Sequence, residues 1–215
     1  MRKRRIKVSG LCRLSLMPDT TEISFNLSGT CAEYESTIAL SAEKTNLLYE
    51  ALMATGFLKS DIGTGSFSVV PEFENYTDEK GNYKRRQIGY SFSHMINVSF
   101  PLDSARLSEI ITALGKSGIE ADFSVSFKLS DKEAAKNMLL DSAVADCREK
   151  AEILAKAAGA TLGKVGYITY SRNSPDFSYM AGGPAKLSKM SSFDVDINPS
   201  EITVSDTVSI VWKLK

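Results

Sequence analysis

The chain has 215 residues, 43% of them hydrophobic and 24% charged, enough for one large domain or two small ones whose core needs neither metal nor disulfide. Its 26 basic and 26 acidic side chains cancel, so general nucleic-acid binding, which rests on a basic excess over phosphate, is not expected. One histidine, three cysteines without Cys-x-x-Cys spacing, and no apolar run of about 20 residues exclude a multi-histidine metal site, a disulfide framework and a membrane-spanning helix.

The opening Met1-Arg2-Lys3-Arg4-Arg5 is basic. Ile6-Lys7-Val8-Ser9-Gly10 then alternates as a strand does, where a secretory leader would need an unbroken apolar stretch. This predicts a solvated strand entry and a cytoplasmic protein. Residues 6–16 and 21–31 each place their apolar side chains on one parity, and Pro18-Asp19 between them predicts a hairpin. On such a hairpin Cys12 and Cys31 stand apart, and with Cys147 they are expected to be free thiols. A helix over about 33–55 follows, with Leu40, Leu47, Leu48, Ala51 and Leu52 at helical spacing. Gly56 stops it, and Thr30 with Glu33 has the spacing of a capping box.

Residues 62–76 and 84–100 read as a long hairpin around Asp78-Glu79-Lys80-Gly81-Asn82. Its second arm alternates Ile88, Tyr90, Phe92, His94, Ile96, Val98 and Phe100, which makes His94 a packed side chain rather than a catalytic one. Tyr76, Tyr83, Lys84, Arg85 and Arg86 at the tip mix aromatic and basic residues, as single-strand binders do. With no net positive charge, they point instead to a protein partner. Tyr76 and Tyr83 are expected to face each other across the tip. A two-stranded ribbon is marginal alone and open edges invite pairing, so an ordered arm should pack on another copy of the chain.

Asp103 caps a helix carrying Leu107, Ile110, Ile111 and Leu114. Phe123 to Leu129 is a strand, and Ser130 with Glu133 opens an alanine-rich helix over about 131–158. Val165 to Tyr170 is a short strand, Ser171 to Asn198 is turn-rich, and about 174–197 should be mobile. Ile202 to Leu214 closes the chain as a strand, with Asp206 intruding on its apolar row.

The result is an α+β chain of order β-β-α-β-β-α-β-α-β-β, mainly antiparallel. It holds a ferredoxin-like βαββαβ part at about 20–130 and a smaller α/β layer at 131–215 joined by strand 5–17, within one region spanning 1–215. No catalytic, cofactor or metal residue is assigned. Gly159-Ala-Thr-Leu-Gly163-Lys164 misses the spacing and the Ser/Thr of a phosphate loop. Ser41-Ala-Glu-Lys44 lies inside a helix and lacks the companion motifs of penicillin-recognising enzymes. Glu72/Glu74 and Asp194/Asp196 read as solvated pairs, the only fallback metal candidates.

Several segments in order resemble the SIMPL-domain family: Ile6-Lys-Val-Ser-Gly10 with Pro18-Asp19, Gly89-Tyr90, Ala151 to Val165, and Asn198-Pro-Ser-Glu-Ile-Thr-Val204 running into Val208-Ser-Ile-Val-Trp212. That family includes bacterial periplasmic immunogenic proteins and an oxidative-stress defence protein. The resemblance implies an α/β fold, ring- or channel-like homo-oligomers in some members, and no established enzymatic activity or cofactor. The function it implies is a non-enzymatic, oligomer-forming scaffold or interaction protein with a link to stress tolerance. The alternative is an enzyme or small-ligand binder using carboxylates and tyrosines in a pocket between the two sub-layers.

Overall fold

In the computed structural model, residues 4–170, 178–180, 185–186 and 199–215 are described. The chain runs β1 (Arg5–Leu16), β2 (Thr20–Cys31), α1 (Tyr34–Ala54), a 3-10 turn, β3 (Ile62–Thr77), β4 (Tyr83–Pro101), α2 (Ser104–Lys116), β5 (Asp122–Lys128), α3 (Lys132–Ala157), β6 (Leu162–Tyr170), β7 (Ser178–Met180), β8 (Ala185–Lys186) and β9 (Ile202–Leu214). This is the α+β order legible in the sequence, with two very short strands added in the turn-rich segment. Most of 174–197, where a mobile loop is expected, lies outside the described residues.

Two compact units divide the chain: Met1–Pro18 with Leu129–Ser178 and Ser200–Lys215, and Asp19–Lys128 with Tyr179–Pro199. In the second, the sheet order β3-β4-β2-β5 is that of a split βαββαβ unit, antiparallel at each of these junctions. Alternation drives it. Ile23, Phe25 and Leu27 of β2 and Ile96 and Val98 of β4 are buried with Leu48 and Leu52 of α1 and Leu107, Ile110 and Leu114 of α2.

In the first unit the three-stranded sheet runs β1-β9-β6. The predicted β1–β2 hairpin does not form. Asp19 is claimed by the other sheet: its N–H donates to the Lys128 carbonyl at 3.1 Å and its carbonyl accepts from the Leu102 N–H at 2.8 Å. β1 instead pairs along its full length with β9, Ser9 opposite Ser209. Two helix starts also differ from expectation. Glu33 precedes α1 without a side-chain cap, Thr30 being still in β2. Asp131, rather than Ser130, caps α3 by accepting from the Ala134 N–H at 2.8 Å. Asp103 caps α2 as expected, through the Arg106 N–H.

What seats α3 on its sheet is a stripe of mostly small residues at spacing four: Ala135, Leu139, Ala143, Cys147, Ala151 and Ala155, all buried. The stripe meets β1 at Gly10. A Cβ built on Gly10 would lie 2.2 Å from the Ala143 carbonyl oxygen and 2.7 Å from the Cys147 sulfur. Only a residue without a side chain admits a helix backbone so close. Beside the crossing, the Leu11 N–H donates to Asp146 Oδ2 at 2.9 Å, and the Cys147 thiol donates to the Val208 carbonyl at 3.1 Å.

Gly10→Ala should therefore destabilise this unit by about 3 kcal/mol or more, the upper range of overpacking. Gly63→Ala, whose Cβ would meet nothing nearer than 3.7 Å, should cost below about 1 kcal/mol. Urea unfolding read by Trp212, the single tryptophan and a member of this core, compares the two. Equal midpoints would refute the close-crossing account.

Candidate functional site

β2 ends at Cys31, opposite Tyr90, which pairs on its other side with Pro71. Beyond that row β3 and β4 continue, with no third strand among the described residues, for roughly 20 Å, six residues at about 3.4 Å each. Two features mark the base of this arm. The chain leaving β2 passes over Gly89, where a Cβ would lie 2.3 Å from the Cys31 carbonyl oxygen. The register also slips between Glu72–Gly89 and Phe73–Gln87, leaving Ile88 as an extra residue, a bulge that bends the ribbon where it departs.

Above the bulge the pairs are Phe73–Gln87, Glu74–Arg86, Asn75–Arg85, Tyr76–Lys84 and Thr77–Tyr83. Tyr76 and Tyr83 are thus on opposite faces and do not meet, contrary to the sequence expectation. The five-residue tip 78–82 sets this parity. One face closes its own charges: Arg86 reaches Glu74 at 2.8 Å and lies 5.4 Å from the Tyr76 ring centre, and Lys84 reaches Asp78 at 2.9 Å. The other face carries Arg85, its guanidinium 3.8 Å above the Phe73 ring, and Tyr83, which is 90% exposed. Phe73, Glu74 and Asp78 escape a reading of the tip by composition. Cross-strand register would have found them once the loop length was fixed.

Asp78 organises the tip. Its carboxylate accepts from the N–H groups of Lys80 and Asn82 at 2.9 and 3.0 Å. The Lys84 ammonium first, then the Asn82 N–H, hold its carboxyl below the usual range.

The other candidates make the following contacts. His94 is buried in its strand row, Nδ1 sits 2.9 Å from the Thr45 hydroxyl, and its ring meets Phe67 edge-on at 5.2 Å. Burial lowers its pKa. Cys12, Cys31 and Cys147 are free thiols, and burial pushes Cys147 up. Ser41 is buried in α1, while Lys44 reaches the Ser28 carbonyl at 2.9 Å. Gly159 follows the end of α3 with a positive φ, its N–H donating to the Lys156 carbonyl at 3.1 Å. Of the fallback acidic pairs, Glu74 is engaged by Arg86 and Asp194/Asp196 lie outside the described residues. Among the described residues no three His, Cys, Asp or Glu side chains gather to hold an ion. A shallow depression of about 240 Å³ on the β2–β4–β5 face includes Ser24, Asn26, Met95, Asp122 and Ser124. These side chains supply neither a nucleophile–base pair nor a ring of convergent carboxylates.

The intruder Asp206 is buried yet satisfied: it accepts from the Tyr170 hydroxyl at 2.8 Å and the Thr207 N–H at 2.7 Å. Tyr170 stands opposite Val208 on the adjacent strand.

Residues 6–212 match the model of SIMPL, described as a protein of unknown function (DUF541), and the chain belongs to that family. It is 25% identical over 214 residues to the 26 kDa periplasmic immunogenic proteins of Brucella melitensis biotype 1 and of Brucella abortus strain S19. Each alignment covers 98% of this chain and 85% of the relative. These names overturn the cytoplasmic reading. The alternation at Ile6–Gly10 is strand β1, and a strand periodicity carries no information on the compartment in which the folded chain resides.

Two outcomes follow from these contacts. Tyr170→Phe should cost about 1–3 kcal/mol by leaving the buried Asp206 carboxylate short of a donor, and adding Asp206→Val should recover much of that loss. An equally unstable double variant in denaturant titration would disprove the pairing. His94, with its folded pKa depressed below 6.5, stays neutral while the unfolded chain takes up a proton. Its contribution is full above about pH 6.5 and is lost as pH falls through the folded value. An imidazole titration by NMR should show that depressed value, and His94→Gln should flatten the stability decline on acidification from neutrality. A normal imidazole titration would contradict the burial argument.

Proposed function

We propose that the protein is a non-enzymatic scaffold or interaction protein that assembles with copies of itself through the β3–β4 arm. The observation that carries this reading is the arm: a two-stranded ribbon leaving its sheet, braced internally and exposing Phe73, Tyr83 and Ile88. Two strands alone are marginal in water, and a braced ribbon with uncovered aromatic and aliphatic groups suits a contact surface. The relatives' names support the periplasm as its place of work, and the family resemblance, which takes in an oxidative-stress defence protein, supports a role in stress tolerance.

Replacing residues 74–86 by Asn-Gly joins the register pair Phe73–Gln87 through a two-residue turn. The shortened chain should keep its circular dichroism and unfolding midpoint while its mass by light scattering falls to that of a smaller species. A shortened chain assembling as the parent does would overturn the arm as the assembly device.

A further inference from the structure

Resting on that reading, the geometry points to a specific partner surface for the arm: the Arg85 face of one copy docks on the solvent face of α1 in another. The Arg85 face presents one charge and two aromatic rings, Phe73 and Tyr83. Arg85 is stacked on Phe73, and among the described residues no carboxylate pairs with it. Stacking holds the guanidinium plane while leaving its N–H edges free for a carboxylate. The rest of this face is neutral: Asn75, Thr77 and Gln87.

Two such faces would bring Arg85 against Arg85 with no acid between them, so this face is unsuited to pairing with itself. Its complement must carry carboxylates among apolar groups. The outer face of α1 does. Glu43, Leu47, Glu50 and Met53 recur at helical spacing and are all exposed, Leu47 by 47% and Met53 by 44%. Neither glutamate has an ion-pair partner among the described residues. The single basic residue of α1, Lys44, is turned to the Ser28 carbonyl. Lengths also agree. Residues 43 to 53 span about 15 Å of helix, and Phe73 to Thr77 about 14 Å of strand. The contact joins two different surfaces, so each copy offers one arm and one helix.

The test compares, by light scattering and sedimentation at equal concentration, the parent, the shortened arm, Arg85→Glu, Glu43→Lys/Glu50→Lys, and the two sets combined. Each charge reversal should weaken assembly by about tenfold or more, and the combination should recover most of it. Arg85→Gln and Glu43→Gln/Glu50→Gln replace any reversal that alters the circular dichroism; there, each neutral set should weaken assembly and the combination should fall short of the sum. If shortening the arm lowers the mass but reversal at α1 does not, the arm reading stands and the α1 partner is wrong. If the parent is a monomer, or the shortened chain assembles unchanged, both fail.

Discussion

Everything in the smaller unit depends on how near α3 comes to β1 at Gly10. The backbone of Ala143 occupies the space where a side chain of β1 would stand. Small residues every fourth position are what the helix needs to lie there, and alanine supplies them without losing helix propensity. The approach puts two residues of the following helical turn to use. Asp146 takes the Leu11 N–H, on a strand that is outermost in the described sheet. The Lys150 ammonium and that N–H keep its carboxyl below the usual range, so the acceptor stays charged near neutrality. The Cys147 thiol donates to the Val208 carbonyl on the neighbouring strand, and burial pushes its pKa up.

Gly89 applies the same constraint in the larger unit. There the intruding backbone is the turn from β2 into α1, and Tyr90, the next residue, meets Tyr34 edge-on at 5.5 Å. Neither Gly10 nor Gly89 has a positive φ. Both are glycine for lack of a Cβ rather than for backbone freedom, which gives a physical reason for glycine in two of the segments that carry the family resemblance.

Strand and helix periods are local properties, and they were legible: β4 alternates, α2 shows its apolar face, and the βαββαβ order follows from reading them in sequence. Sheet partnership is not local. Ser9 finds Ser209, and nothing in the alternation of 6–16 distinguishes β9 from the adjacent β2 as its neighbour. Asp206 was visible as a polar residue in an apolar row, but its donor, Tyr170, sits 36 residues upstream on another strand. The arm tip failed on parity alone: Tyr76 and Tyr83 are both at the tip, yet a loop of five residues pairs Tyr83 with Thr77 and turns the two rings to opposite faces.

That parity gives the arm its chemistry. A ribbon with its charges scattered would pair them on both faces and offer a partner little. Here Glu74 pairs with Arg86 and Asp78 with Lys84 on one side, exposed ion pairs that leave no uncompensated charge on that face. Together with the tip hydrogen bonds to Asp78, they hold the ribbon straight enough to keep Arg85 on Phe73 without using Arg85's own charge. A group ordered before contact spares a partner the entropy of ordering it, about 0.5–1.5 kcal/mol for a long side chain. The self-neutralised face thereby prepares the other one, leaving a guanidinium desolvated on its aromatic side and open at its edge.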